Sequence, residues 1–165
     1  MADGSDTVKE SLIVSGTLDI TAGTDTFDTT FNGIADGDDS GLTSGGSTIY
    51  YWLNATDQGL VASTSTTEAG VTAGNTVFTV DLTNTTADTA GYTFELIDTI
   101  DHVSANGENI TAIDFGVKVT EDTTANVDTD PFTISIVDDV PTAQIDAGDT
   151  LIEDDATTTA AGNVI

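Results

Sequence analysis

The chain has no cysteine and only two basic residues, Lys9 and Lys118, among its 165 positions. Without cysteine, no disulfide can hold the fold together. Set against 29 Asp and Glu, the two lysines leave a formal net charge of -27. Nucleic acid is excluded as a partner, because nothing on such a chain can displace the counter-ions of a phosphate backbone. Long apolar runs are missing as well, so no direct membrane insertion is expected. The opening Met1-Ala2-Asp3-Gly4-Ser5 is small or polar, unlike a secretory signal. Either the chain is cut from a longer protein, or its export uses a signal elsewhere. Helical periodicity is the last absence, since Gly, Thr and Asn interrupt every window in which a 3.6-residue apolar repeat could run. No long helix is expected.

What remains is material for strands. Hydrophobic residues make up 38% of the chain, spread along its length, which is enough to give a domain of this size a core. Thr fills about one position in five, and with Val and Ile it gives a β-branched content suited to a pleated sheet. Several segments alternate apolar and polar residues at period two. Phe78, Val80 and Leu82 oppose Thr79 and Asp81. Tyr92, Phe94 and Leu96 oppose Thr93 and Glu95. Ile113, Phe115, Val117 and Val119 oppose Asp114, Lys118 and Thr120, and Phe132, Ile134 and Ile136 form a last set. Earlier strands are expected in 12–21, 26–31 and 48–54, with turns at Asn32-Gly33, Asp36-Gly37 and Asn106-Gly107. Seven or more strands at this spacing fit an all-β antiparallel sandwich. The stretch from Gly33 to Gly46, with Asp36, Asp38 and Asp39, reads as a loop whose carboxylates are either solvated or metal-bound.

The acids are skewed, 23 Asp to 6 Glu, and Asp suits tight turns and short metal-binding loops. Self-repulsion on this scale is relieved most directly by a hard divalent cation, Ca2+ above all. A merely solvated acidic surface accounts for the total but not for the clustering. Near the chain ends, Asp6-Thr7-Val8-Lys9-Glu10 recurs as Asp149-Thr150-Leu151-Ile152-Glu153, an offset of 143 residues from 6 to 149. It falls after Pro141, where a following domain would begin, so the chain reads as one unit of a tandem array.

The residues from Tyr92 onward carry a resemblance. Tyr92-Thr93-Phe94-Glu95-Leu96-Ile97-Asp98, Asp101-His102, Ile113-Asp114-Phe115-Gly116-Val117 and the closing Val137-Asp138-Asp139-Val140-Pro141 resemble the repeats of about 143 residues in type I secreted, RTX-type giant adhesins. Upstream, Ser40-Gly41-Leu42-Thr43 and Val77-Phe78-Thr79-Val80 fit the same pattern. The resemblance implies an immunoglobulin-like β-sandwich with Greek-key connections, repeated in series on a bacterial cell surface, with calcium at or near the junctions. It implies a non-catalytic extender that projects and stiffens the adhesin for attachment and biofilm formation. Its partners would be adjacent repeats of the same polypeptide, and the isolated domain would be monomeric. The boundaries that follow are a linker at 1–11, the sandwich at 12–145, and a linker with the start of the next repeat at 146–165. Where the family carries an Asp-rich stretch with a Gly turn between its last two strands, this chain has Glu121-Asp122-Thr123-Thr124-Ala125-Asn126-Val127-Asp128-Thr129-Asp130.

Two groups of candidate calcium ligands result. At the junction, Asp138 and Asp139 precede Val140-Pro141, where proline stiffens the exit. Calcium takes six to eight oxygens, so Glu153, Asp154 and Asp155 are the expected partners, with Glu10 their counterpart at the front. The alternative is an acidic linker that stays hydrated. The second group is Asp122, Asp128 and Asp130, three carboxylates that one loop could fold around a cation, although EF-hand or nonapeptide spacing is lacking. Asp98 and Asp101 form a further acidic turn. The single histidine, His102, lies between Asp101 and Val103 on an extended chain, where neighbours point apart, so a structural, turn-capping histidine is expected over a catalytic one. Trp52, beside Tyr50 and Tyr51, is expected to fill the core; the alternative is a platform for a sugar, which would make the unit a ligand-binding module for a sugar or peptide.

Overall fold

The computed structural model describes residues 12–20, 26–86, 90–103, 109–124 and 126–138, which belong to one packing unit spanning Glu10–Asp138. Among them are nine strands: β1 Ile13–Thr17, β2 Phe27–Phe31, β3 Asp39–Ser44, β4 Ser47–Leu53, β5 Gly59–Ser63, β6 Thr76–Thr83, β7 Gly91–Leu96, β8 Ile110–Glu121 and β9 Val127–Val137. A single 3₁₀ turn, Glu68–Gly70, is the only helical element among the described residues.

The strands form two antiparallel sheets, one of six in the order β1-β7-β6-β5-β4-β3 and one of three in the order β2-β8-β9. Sequence-distant pairings, β1 with β7 and β2 with β8, close them. An immunoglobulin sandwich sets strands B, E and D side by side in one sheet and C, F and G in the other. Here β1, β7 and β6 take the first three places and β2, β8 and β9 the second. The meander β3-β4-β5 extends the first sheet beyond D. The architecture is thus an immunoglobulin-like Greek-key sandwich with a three-strand extension.

Alternation along the strands explains why the sheets face each other. Phe78, Val80 and Leu82 are buried while Asp81 is exposed; Phe115 and Val117 are buried while Asp114 is exposed. Phe115 sits where the two inner faces meet. Its ring lies 5.3 to 6.5 Å from those of Phe31, Tyr51, Phe78, Phe94 and Phe132, so it touches strands of both sheets. Tyr92 of β7 stacks on Phe132 of β9 at 4.0 Å and 12°, fastening one sheet to the other along the open side. Such aromatic pairs add to the area they bury.

The segment from Gly33 to Gly46 is not the loop its composition suggests. It contains β3, an edge strand with a bulge between Asp39 and Thr43, joined to β4 by the two-residue turn Gly45-Gly46. Both glycines have positive φ, 54° and 77°, the requirement of a type I′ hairpin turn. The region 121–130 is likewise a hairpin with ordered arms, because β8 runs to Glu121 and β9 starts at Val127.

Truncation of Phe115 to Ala is expected to lower stability by about 3–5 kcal/mol, since its cavity opens between two sheets that cannot both collapse into it; urea denaturation measures this. Burial pushes the Tyr51 phenol up to about 12 from 10.0. Because only the neutral phenol fits the core, its contribution is full below pH 10 and is lost as the pH rises from 10 through 12. Melting temperatures across that range should fall more steeply for the wild type than for Tyr51→Phe.

Candidate functional site

The candidate carboxylates sort to the two ends of the sandwich. The near end is where β7 stops and β8 begins, and it holds Asp98, Asp101, His102 and Asp138. At the far end, where β8 turns into β9, lie Asp19, Glu121, Asp122, Asp128 and Asp130. From Asp130 to Val137, which precedes Asp138, the strand β9 rises roughly 23 Å at 3.3 Å per residue. No single ion can serve both ends.

At the near end Asp101 has a defined structural task. Its two carboxylate oxygens accept the backbone N–H groups of Gly45 at 2.9 Å and Gly46 at 2.8 Å, and its own N–H donates to Thr43 O at 2.8 Å. The carboxylate thus caps the β3–β4 turn from 55 residues away in sequence. Those hydrogen bonds, that of Gly46 foremost and that of the Thr43 side chain next, hold its pKa below the ordinary 3.8. His102 is structural in a different sense from the one expected: Nδ1 bonds Thr111 Oγ1 at 3.1 Å, and it is Asp101 that caps the turn. Asp98 accepts the N–H of Thr99 at 2.8 Å. The backbone N–H of Asp138 donates to Asn109 O at 2.7 Å, anchoring the end of β9 beside the start of β8. Asp139, Glu153, Asp154, Asp155 and Glu10 lie outside the described residues, so the junction set is represented by Asp138 alone.

At the far end the structure separates the second group. Asp122 sits in the hairpin turn, its N–H donating to Thr26 O at 3.0 Å, while Asp128 and Asp130 lie on β9 opposite Val119 and Val117. Alternation puts those two aspartates on the inner face with Phe132, yet all three acids of the group are exposed at the rim. The rim encloses a cavity of about 380 Å³, floored by Val117, Val119 and Phe132 and edged by Asp19, Glu121, Asp128 and Asp130. Glu121 is occupied with the turn, accepting from Thr124 Oγ1 and, at 3.0 Å, from Asn126 Nδ2. Among the described residues no three His, Cys, Asp or Glu side chains converge as a metal cluster.

Trp52 is not in the core. Tyr51 points inward at 8% exposure, so the next residue must point outward, and Trp52 lies half-buried on the outer face of the six-stranded sheet opposite Val61. Its indole Nε1 is buried with no hydrogen-bond partner among the described residues. It lines a second cavity, of about 370 Å³. The period-two rule, applied from Ile49 and Tyr51, could have predicted this position.

No known protein family, curated protein or solved structure matches the chain.

Because the Asp101 carboxylate binds its turn as an anion, its stabilisation is full above pH 3.8 and is lost as the pH falls through the lower folded-state value. Asp101→Asn turns an N–H donor toward a glycine N–H. The variant is expected to melt below the wild type at pH 7, with the gap closing in acid below that folded-state value. A gap independent of pH contradicts this role.

Proposed function

We propose that the chain is a non-catalytic, calcium-stabilised extender repeat of a type I secreted, RTX-type bacterial surface adhesin, serving length and stiffness in attachment and biofilm formation. The supporting observation is that carboxylates gather at both ends of the sandwich in a chain with two lysines. Units of this kind joined in series repel at every junction. A hard cation shared across the junction converts that repulsion into a clamp, provided that each side supplies only part of the six to eight oxygens.

On this proposal Asp138 and Asp139 contribute from the exit of one sandwich, and Glu153, Asp154 and Asp155, or Glu10 at the front, contribute from the adjoining segment. The far-end acids Asp122, Asp128 and Asp130 hold a second cation only together with oxygens from outside their group. The described chain begins at Leu12 beside Leu96 and ends at Asp138 beside Asn109, both at the near end. Adjacent repeats are then the partners, and the cell surface is the location.

Calorimetry of the chain in calcium and in EDTA is the test. Calcium at a hundredfold excess over its dissociation constant should add about 2.7 kcal/mol per site, seen as a higher melting temperature. An unchanged melting temperature on chelation contradicts the role of calcium.

A further inference from the structure

The half-exposed face around Trp52 has the features of a ligand site. Residues 64–75, which join β5 to β6, fold back so that Glu68 flanks the outer face of the six-stranded sheet, and a cavity of about 370 Å³ lies between them and Trp52. A volume of this size suits a small ligand. The wall is fixed from within by Asn75, whose Oδ1 accepts from Thr72 N at 2.8 Å and from Ser63 Oγ at 3.0 Å, and whose Nδ2 donates to Gly70 O at 2.9 Å.

Polar groups converge on the floor. Asn54 Oδ1 accepts three hydrogen bonds, from Thr56 N at 3.1 Å, Thr56 Oγ1 at 2.9 Å and Gln58 N at 3.0 Å. That fixes the amide orientation and leaves Nδ2 over Gly59. A Cβ at Gly59 would lie 2.7 Å from Asn54 Nδ2 and 3.0 Å from Asp81 Oδ1, so the bare glycine backbone leaves room for both polar groups above the strand. Glu68 supplies a second carboxylate at the wall, and the Trp52 indole N–H is a buried donor with no acceptor among the described residues. Such orphaned donors are rare in folded proteins.

We infer that this cleft binds a neutral saccharide ring. An aromatic side chain, a fixed amide donor and two carboxylate acceptors around a small floor match the apolar face and vicinal hydroxyls of a pyranose. With two carboxylates in the cleft and a net charge of -27 on the chain, acidic sugars are repelled. The inference is independent of the extender role, and its failure leaves that role standing.

Trp52 is the only tryptophan in the chain, so its fluorescence reports on the cleft directly. The probes are methyl β-glucoside, methyl β-galactoside, methyl α-mannoside, cellotetraose and maltotetraose, with glucuronate as the acidic counterpart. A saturable change in emission is expected with at least one neutral probe and none with glucuronate. Because Asp81 and Glu68 are exposed, Asp81→Asn and Glu68→Gln should leave the melting temperature unchanged while weakening binding about tenfold each, the loss of one hydrogen bond to a charged group. No saturable change with any neutral probe, full retention of binding in the double variant, or tighter binding of glucuronate overturns the inference.

Discussion

Twenty-nine carboxylates and two ammonium groups leave this fold almost nothing to pair its charges with. Every acid must stay in water or find a neutral donor, because an unpaired buried carboxylate is among the costliest groups a protein can hold. The buried polar side chains among the described residues are Thr29, Ser44, Ser63 and Thr76, all uncharged. The acids instead accept hydrogen bonds at the surface. Asp36 takes Leu53 N at 2.6 Å, Asp38 takes Ala35 N at 2.8 Å, Asp39 takes Gly41 N at 2.8 Å, and Asp101 takes the Gly45-Gly46 turn. This is a physical reason for the excess of Asp over Glu: the shorter side chain reaches nearby backbone N–H groups. Carboxylates that look like metal ligands in the sequence are, at several positions, the fasteners of turns.

Much of the sandwich was legible in the sequence because each of β6 to β9 carries a long alternating pattern with one face in the core. The unread strands lack that pattern for opposite reasons. β3 is an edge strand interrupted by a bulge and carries Asp39, Ser40 and Gly41, so it resembles a loop; the Gly45-Gly46 pair was the signal that it ends in a hairpin. β5, Gly59–Ser63, is central and covered on both faces, so it reads as a short apolar run without alternation. Trp52 was assigned to the core by residue type, when the parity set by Ile49 and Tyr51 places it outside. Of the candidate metal ligands, sequence proximity grouped Asp122 with Asp128 and Asp130, whereas the hairpin separates a turn residue from two strand residues. Asp101 could not be read as a turn cap, since its partners lie 55 residues away.

The same geometry gives the two ends of the sandwich their character. A core centred on Phe115 and closed by the Tyr92–Phe132 stack joins the nine strands of the described residues, with acid at either end and an indented outer face between. On the extender proposal, a unit with mutually repelling ends is a poor partner for its own copies in the absence of cations and a well-defined one in their presence. Stiffness under calcium, and not mere folding, is the property that the extender proposal assigns to this chain.

Small-angle X-ray scattering of two copies joined in series at the 143-residue register, recorded in calcium and again in EDTA, addresses that property most directly. A single extended particle in calcium that gives way to a broad distribution of shorter distances in EDTA is the predicted result. Identical distance distributions in the two conditions would contradict it.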